Sequence, residues 1–118
     1  MAHSIITHNN KEVLFINHRG LVGDDLFDSI KSATQYLLEQ KKEYLTVSDF
    51  TDTTGTQKIN QYLQSQEMKE ASKYQKKLAV VGMTGIKKMV LKVYNVFTGV
   101  PSKTCDTLDE ALEYVTKP

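Results

Sequence analysis

Two short segments of this sequence carry most of the side chains that could do chemistry. The first reads S-D-F-T-D-T-T-G-T at residues 48–56, with two aspartates, four threonines and a glycine in nine residues. Asp49 and Asp52 are oxygen donors for a cation, but two acids without further ligands favour capping and turn roles instead. The segment contains no histidine, lysine or arginine that could serve as a base, so it predicts no catalytic set by itself.

The second segment reads G-M-T-G-I-K-K at residues 82–88. If Thr84 is the helix N-cap, then Lys87 and Lys88 lie in the first helical turn, where a positive charge opposes the helix dipole at about 0.3–1 kcal/mol each. An anionic ligand, a phosphorylated side chain or an acidic partner would remove this conflict. The alternative is that both lysines extend into water. The spacing departs from that of a phosphate-binding P-loop, so nucleotide hydrolysis is not indicated.

Short apolar runs, typical of strands, alternate along the chain with stretches of helical periodicity. Together they predict the strands and helices that position these segments. Strands are predicted at Ser4–Thr7, Val13–Asn17, Tyr44–Val47, Leu78–Val81 and Lys103–Cys105. Helices are predicted from Gly23 to Lys42, over Gln57–Tyr74, from Thr84 to Gly99, and after Thr107. The sequence thus predicts one α/β domain over residues 1–118, with a mixed, mostly parallel sheet of four to five strands and about four helices.

Both polar segments follow a predicted strand and precede a predicted helix. In parallel sheets the carboxyl ends of the strands share one edge, where ligands bind. We therefore expect residues 49–56 and 82–88 to lie on the same rim, although the sequence does not give the strand order.

Two helices carry further expectations. The third predicted helix has apolar residues over an arc of roughly 160°, which predicts a wide buried face. These residues are Ile86, Met89, Val90, Val93, Tyr94, Val96 and Phe97. In the last helix, Thr107 and Glu110 have the spacing of a capping box, in which each side chain binds the other's backbone N–H.

Composition excludes several classes of protein. The chain has 118 residues, with 15 basic and 14 acidic side chains, so no global charge favours nucleic acid. Cys105 is the single cysteine, which rules out an intrachain disulfide and a multi-cysteine zinc site. The apolar runs are too short to span a bilayer, and the N-terminus lacks a signal-peptide pattern, so a cytoplasmic protein is expected.

The histidines and the cysteine do not assemble into a catalytic set. His3 and His8 lie in the N-terminal segment, His18 is interpreted as a turn residue, and Cys105 is expected to be a buried small side chain. No enzyme activity, metal or cofactor is therefore predicted.

Four stretches together resemble a known family. They are V-L-F-I-N-H-R-G-L at 13–21, L-T-V-S-D-F-T-D-T-T-G at 45–55, A-V-V-G-M-T-G-I-K-K at 79–88 and T-L-D-E-A-L-E-Y at 107–114. The order of elements resembles that of STAS-like domains, the fold of the anti-sigma-factor antagonists, and is most similar to a SpoIIAA-like bacterial group. The resemblance spans nearly the whole chain.

This resemblance has consequences for the first segment. In the antagonists, an Asp-Ser-Ser-Gly or Asp-Ser-Thr-Gly turn carries a hydroxyl that a partner kinase phosphorylates, and Asp52-Thr53-Thr54-Gly55 is similar to it. The resemblance implies that Thr53 is the phosphoacceptor. The remaining candidates for a rim or anion-binding site are Asp49, Asp52, Thr54, Gly55, Thr84, Gly85, Lys87 and Lys88.

Two functions follow from these observations. The first is a non-enzymatic regulatory or protein-interaction domain, switched by phosphorylation and acting on an unknown protein partner. The alternative is a module that binds a small molecule, a lipid or an anion through the rim and the third helix. An exposed face on that helix, or an apolar pocket beneath it, would favour the alternative, whereas a closed core with a polar rim would favour the first. A homodimer is left open.

Overall fold

Strands and helices alternate along the chain as the sequence predicts. The computed structural model describes residues 3–118. The strands are β1 His3–His8, β2 Lys11–Asn17, β3 Tyr44–Asp49, β4 Gln75–Val81 and β5 Ser102–Cys105. The helices are α1 Gly23–Gln40, α2 Gln57–Tyr62, α3 Gln66–Ser72, α4 Ile86–Thr98 and α5 Leu108–Thr116. The predicted α/β class is confirmed.

The strands form one mixed sheet in the order β1-β2-β3-β4-β5. β1 pairs antiparallel with β2, and the other neighbours are parallel. Asn9 and Asn10 join β1 to β2 with φ values of 50° and 63°. Asparagine tolerates this left-handed region, and two such residues in succession make the turn that suits the twist of a hairpin.

Alternate residues of each strand face opposite sides of the sheet. Leu14, Ile16, Leu78 and Val80 pack against α1, α2, α3 and α4. Val13, Val47, Ala79 and Val81 pack against α5. Each connection between successive parallel strands from β2 to β5 passes through one or two of the helices α1 to α4 and steps to the next strand in the same direction. Because such connections are right-handed, these four helices lie on the same side of the sheet. We call these sides the four-helix face and the α5 face.

The single helix predicted over Gln57–Tyr74 is wrong, because the structure has α2 and α3 there, separated by a short turn. The Thr56 side chain caps α2 by accepting from the Ile59 amide at 3.3 Å. The Ser65 side chain caps α3 by accepting from the Met68 amide at 3.2 Å. A serine side chain that bonds a backbone amide offers an alternative to the hydrogen bonds of a continuous helix. The new helix that starts after Ser65 has Met68 on its buried side.

The predicted buried stripe of α1 is confirmed at Leu26, Ile30, Ala33 and Leu37. Gly99 ends α4 in the left-handed conformation, with φ 73°. Thr107 caps α5 as predicted, accepting from the Glu110 amide at 3.1 Å. The reciprocal half of the capping box is wrong, because the Glu110 carboxylate accepts from the Asp106 amide at 3.4 Å.

The predicted wide buried face of α4 is also wrong. Only Leu91 and Tyr94 of this helix are buried. Ile86, Met89, Val93 and Val96 are 76%, 66%, 47% and 88% exposed. The physical reason is that α4 meets the rest of the four-helix face along a narrow strip, whereas its apolar arc is much wider.

Candidate functional site

The two polar segments meet at the carboxyl ends of β3 and β4. These strands are neighbours, and the Phe50 amide donates to the Val81 carbonyl at 2.8 Å. Gly82 lies so close to the other segment that a Cβ there would be 2.5 Å from the Thr51 backbone nitrogen. With φ +81° and no room for a side chain, this position requires glycine. The predicted common rim is therefore present.

Both aspartates of the first segment belong to the turn. The Asp49 carboxylate accepts from the Thr51 amide at 2.8 Å, which is an Asx-turn bond. Asp52 has φ 56° and is exposed. Within residues 3–118, no group of three or more histidine, cysteine, aspartate or glutamate side chains could hold a metal ion. The geometry thus assigns a structural role to the Asp49 carboxylate, whereas Asp52 contributes the left-handed backbone of the turn.

Thr53 is buried inside the turn, only 6% exposed. Its hydroxyl donates to the Phe50 carbonyl at 2.7 Å, and its amide donates to the same oxygen at 3.3 Å. The neighbouring Thr54 and Gly55 are exposed, and Thr54 forms an isolated bridge with Val22. A kinase could reach the Thr53 hydroxyl only after this turn opens.

The second segment differs from its predicted capping. Gly85, with φ 57°, is the N-cap of α4 and makes no side-chain cap bond, so the assignment of Thr84 as N-cap is wrong. Thr84 and Gly85 are both exposed. Their carbonyls accept from the amides of Lys87 and Lys88 at 3.2 and 3.1 Å. The start of α4 is therefore held by its own backbone.

Lys87 joins the two segments. Its ammonium group donates to the Phe50 carbonyl at 3.1 Å and to the Thr53 carbonyl at 3.4 Å. Carbonyl oxygens thus stabilise the cation that sits unfavourably at a helix start. Lys88 is exposed. Of the two lysines, the exposed Lys88 is the one that an external anion could reach. Lys87 instead connects the two loops through its hydrogen bonds.

A cavity of about 80 Å³ lies beneath the rim, on the four-helix face. Its walls come from β2, β3, β4, α1, α3 and α4, and none of its lining residues is an acid, lysine or arginine. The apolar wall includes Ile30, Leu37, Met68, Val80 and Leu91. Because the lining carries no charge, the cavity suits an uncharged occupant.

A groove of about 250 Å³ lies on the outer side of α4. Its apolar residues include Ile86, Met89 and Val93, and its other wall is formed by Asn60 of α2 with Leu63 and Gln64 from the turn that follows α2. Leu63, Val90 and Tyr94 line both the groove and the cavity. The two spaces are therefore neighbours, separated by a thin wall of side chains.

His18 was interpreted from the sequence as a turn residue, but it is 2% exposed and lines the cavity. Its Nδ1 atom and the Ser29 hydroxyl form a hydrogen bond of 2.7 Å, and its ring centroid is 4.7 Å from that of Phe50. Burial lowers the pKa of His18 to about 4, although the Asp49 charge opposes the shift. The imidazole is therefore neutral at physiological pH.

Comparison with known proteins identifies the architecture. No family model matches the chain, and no curated protein matches it. A solved structure from Shewanella loihica PV-4, an uncharacterized protein of the DUF3478 family with a SpoIIAA-like fold, is similar with a TM-score of 0.67. The alignment covers 97% of this chain and 92% of that chain at 18% identity. The chain has a SpoIIAA-like fold.

The SpoIIAA-like resemblance drawn from the sequence is therefore confirmed for the fold. At 18% identity the similarity carries no site residues. In this SpoIIAA-like domain, no helix within residues 3–118 is long and apolar enough to cross a membrane. Cys105 is buried as predicted, and desolvation raises the pKa of its thiol.

Sequence reasoning missed His18, Ser29 and Phe50 as neighbours. Asn17 ends β2 and pairs with Asp49, the last residue of β3. The His18 amide then donates to the Asp49 carbonyl at 2.9 Å. His18 thus continues the strand direction toward the helices, and the even-numbered residues before it, Leu14 and Ile16, are buried on that same side. This alternation was the signal available in the sequence.

Proposed function

We propose that this chain is a STAS-type binding module that holds an uncharged, largely aliphatic small molecule between its sheet and α4, without catalysis. The observation that carries this proposal is the cavity on the four-helix face, whose lining contains no acid, lysine or arginine and which adjoins an apolar groove. Ligand sites of soluble proteins are mostly apolar concavities with a few polar groups, and this site has that character.

The size of the spaces limits the ligand. An engineered cavity of about 150 Å³ holds benzene, and the cavity here, at about 80 Å³, is smaller. A larger ligand would need the adjoining groove of about 250 Å³ as well. A linear chain that passes between Leu63 and Val90 fits this arrangement better than a rigid polycyclic molecule, because it can thread a narrow opening.

The exposed apolar side chains of α4 supply a driving force. Ile86, Met89 and Val93 line the groove while more than 40% exposed. Removing such surface from water contributes roughly 25 cal/mol per Å². Contiguous exposed apolar surface commonly marks a binding site. A ligand in the groove would bury these side chains without any change of the sheet.

Binding of a fluorescent apolar dye tests this proposal. We expect diphenylhexatriene, an uncharged linear dye, to bind saturably, and Val90→Phe to weaken binding by about tenfold, because the larger ring fills the wall between cavity and groove. Val96→Phe is the matched control, since Val96 is on the same helix, 88% exposed and outside both spaces. Circular dichroism checks that both variants fold.

Two results would contradict the proposal. One is the absence of saturable dye binding to the wild-type protein. The other is an equal loss of affinity in Val90→Phe and Val96→Phe, which would place the dye outside the wall between the two spaces.

A regulatory role through a protein partner is the second candidate, favoured by the SpoIIAA-like fold and by the position of the Asp52–Gly55 turn. Phosphorylation of Thr53 would break its bond to the Phe50 carbonyl, and Phe50 also lines the cavity. A phosphate there would add about −1.5 to −2 charges. The modification would thus act on the binding site as well as on a partner surface.

Peptide mass spectrometry of the protein from its native cells tests the switch. We expect partial phosphorylation at Thr53, with the exposed Thr54 as the internal comparison. Unmodified Thr53 under several growth conditions, or phosphate on Thr54 instead, would argue against Thr53 as the acceptor.

A further inference from the structure

The cavity has a polar corner at the carboxyl ends of β2 and β3. His18 and Ser48 both line the cavity there, and they are 2% and 6% exposed. Ser48 pairs with Ile16, two residues before His18, so the two side chains are neighbours on the same face of the sheet. The remaining cavity walls near them are apolar.

Three hydroxyl groups elsewhere in the lining already donate hydrogen bonds within the protein. Tyr94 donates to the Gln75 side chain at 2.6 Å. The Thr34 and Ser72 hydroxyls donate to backbone carbonyls of their own helices at 2.8 and 2.6 Å. By contrast, neither the Nε2 atom of His18 nor the Ser48 hydroxyl has a hydrogen bond to any part of residues 3–118. The fully buried side-chain atoms of residues 3–118 that lack a partner are others, namely Thr46 Oγ1, Asn95 Oδ1 and Ser102 Oγ, so His18 Nε2 and the Ser48 hydroxyl remain open to the cavity that their residues line.

The His18 ring is held in one orientation. Ser29 bonds its Nδ1 atom at 2.7 Å, and the Phe50 ring packs against it. Because Nδ1 is occupied, Nε2 is the ring atom left for a ligand. A neutral imidazole offers Nε2 as a donor or an acceptor, depending on the tautomer.

The surroundings select an uncharged partner for this corner. Burial keeps His18 neutral by lowering its pKa to about 4. The lining contains no lysine or arginine that could neutralise a carboxylate. An unpaired ionised group in such a cavity is strongly disfavoured, whereas a hydroxyl group both donates and accepts and can satisfy His18 and Ser48 together.

We propose that His18 Nε2 and the Ser48 hydroxyl hydrogen-bond the hydroxyl group of an otherwise aliphatic ligand, so that the cavity selects alcohols over hydrocarbons and carboxylates. This inference rests on the proposed binding function. It adds the polar group that the ligand carries and the end of the cavity where that group lies.

Three six-carbon ligands test the inference, namely 1-hexanol, hexane and hexanoate, measured by displacement of diphenylhexatriene. We expect the wild-type protein to prefer hexanol over hexane by about fivefold to tenfold, the ratio that one net hydrogen bond supplies. In His18→Phe this preference should fall to about one, because the variant keeps an aromatic ring but loses the hydrogen-bonding nitrogen. Ser48→Ala should reduce the preference by a smaller factor.

A measurement on the wild-type protein guards against variants that fail to fold. The imidazole nitrogen resonances of His18 should shift when hexanol is added and stay unchanged with hexane. A purely structural role of His18 would leave them unchanged with both ligands.

The outcomes separate the two proposals. If neither the dye nor any six-carbon ligand binds, the proposed function fails and the inference fails with it. If hexane and hexanol bind equally, or if His18→Phe keeps the preference, the binding function stands and the His18–Ser48 corner is wrong. Tighter binding of hexanoate than of hexanol would overturn the selection of an uncharged group.

Discussion

The two faces of the sheet are built from alternate residues of the same strands, yet they are closed to different degrees. On the α5 face, one helix of nine residues buries Ala111, Leu112 and Val115 almost completely. On the four-helix face, a cavity remains beneath the helices and the apolar arc of α4 is largely exposed. The amount of helix therefore does not decide how well a face is closed. What decides it is the match between a helix's apolar arc and the strip of sheet that it contacts.

The N-terminus of α5 is also capped better than the N-terminus of α4. Thr107 caps α5 through its side chain, whereas the N-cap of α4, Gly85, makes no side-chain bond. A capping side chain contributes about 0.5–2 kcal/mol to helix stability. The α5 face is thus closed by both packing and capping, and the four-helix face lacks both at α4.

The largest expected effect comes from one leucine on each face. Leu112 of α5 and Leu91 of α4 are 5% and 7% exposed, so Leu→Ala at each removes a similarly buried side chain. Leucine truncation in a core costs about 2–5 kcal/mol. We expect Leu112→Ala near the upper end and Leu91→Ala near the lower end, because Leu91 already borders the cavity. Urea denaturation measures both free energies of unfolding.

Equal losses at the two positions would break the comparison, since they would mean that both leucines are equally well packed in solution. Adding a ligand that binds the cavity gives a second test of the difference between the two faces. The ligand should reduce the difference in unfolding free energy between Leu91→Ala and the wild type. It should leave the difference between Leu112→Ala and the wild type unchanged.

The second effect is a response to acid that only the four-helix face should show. His18 has a folded pKa of about 4, against 6.5 for the ordinary group. Between these values the unfolded state binds the extra proton, so stability is full above pH 6.5 and falls as the pH drops toward 4. The loss is roughly 3 kcal/mol, since one pKa unit corresponds to about 1.4 kcal/mol.

Comparison with His18→Phe isolates this effect from carboxylate titration. The difference in unfolding free energy between wild type and variant should change between pH 7 and pH 4. A difference that is the same at both pH values would mean that His18 is hydrated in solution, and the four-helix face would then be more open than the structure describes.

The smallest effect is expected at the exposed edge of α4. Val96→Ser should change the free energy of unfolding by less than about 0.5 kcal/mol, because Val96 is 88% exposed. Val115→Ser is the matched control on the α5 face, where Val115 is 0% exposed, and it should cost several times more. Thermal melting compares the two. A cost above about 1 kcal/mol for Val96→Ser would show that something covers α4 in solution.

The sequence predicted most of the architecture because local patterns carry it. Continuous apolar runs marked the buried strands, and the spacing of Leu26, Ile30, Ala33 and Leu37 marked the core side of α1. The break between α2 and α3 was missed because the Ser65 cap lies inside a long polar stretch. The exposure of α4 was missed for a different reason. Periodicity gives the width of an apolar arc, and the neighbouring elements decide how much of it is covered.

The sequence predicted where the candidate site lies in the fold, but it predicted only some of the site residues and their roles. The common rim followed from parallel strands, and it is present. The burial of Thr53 and the bridging role of Lys87 depend on how two loops pack, which no local pattern encodes. The His18–Ser48 corner joins residues thirty positions apart, and it appears only once β2 and β3 are paired in register.

The order of the strands in the sheet is also their order in the chain. As the polypeptide leaves the ribosome, each strand finds its neighbour already made and need not insert between two paired strands. α5 follows all five strands in the chain and contacts every one of them, so the face that it covers stays bare while the earlier elements are synthesised. The face that is closed best in the folded protein is thus the one that chaperones can reach for longest during synthesis.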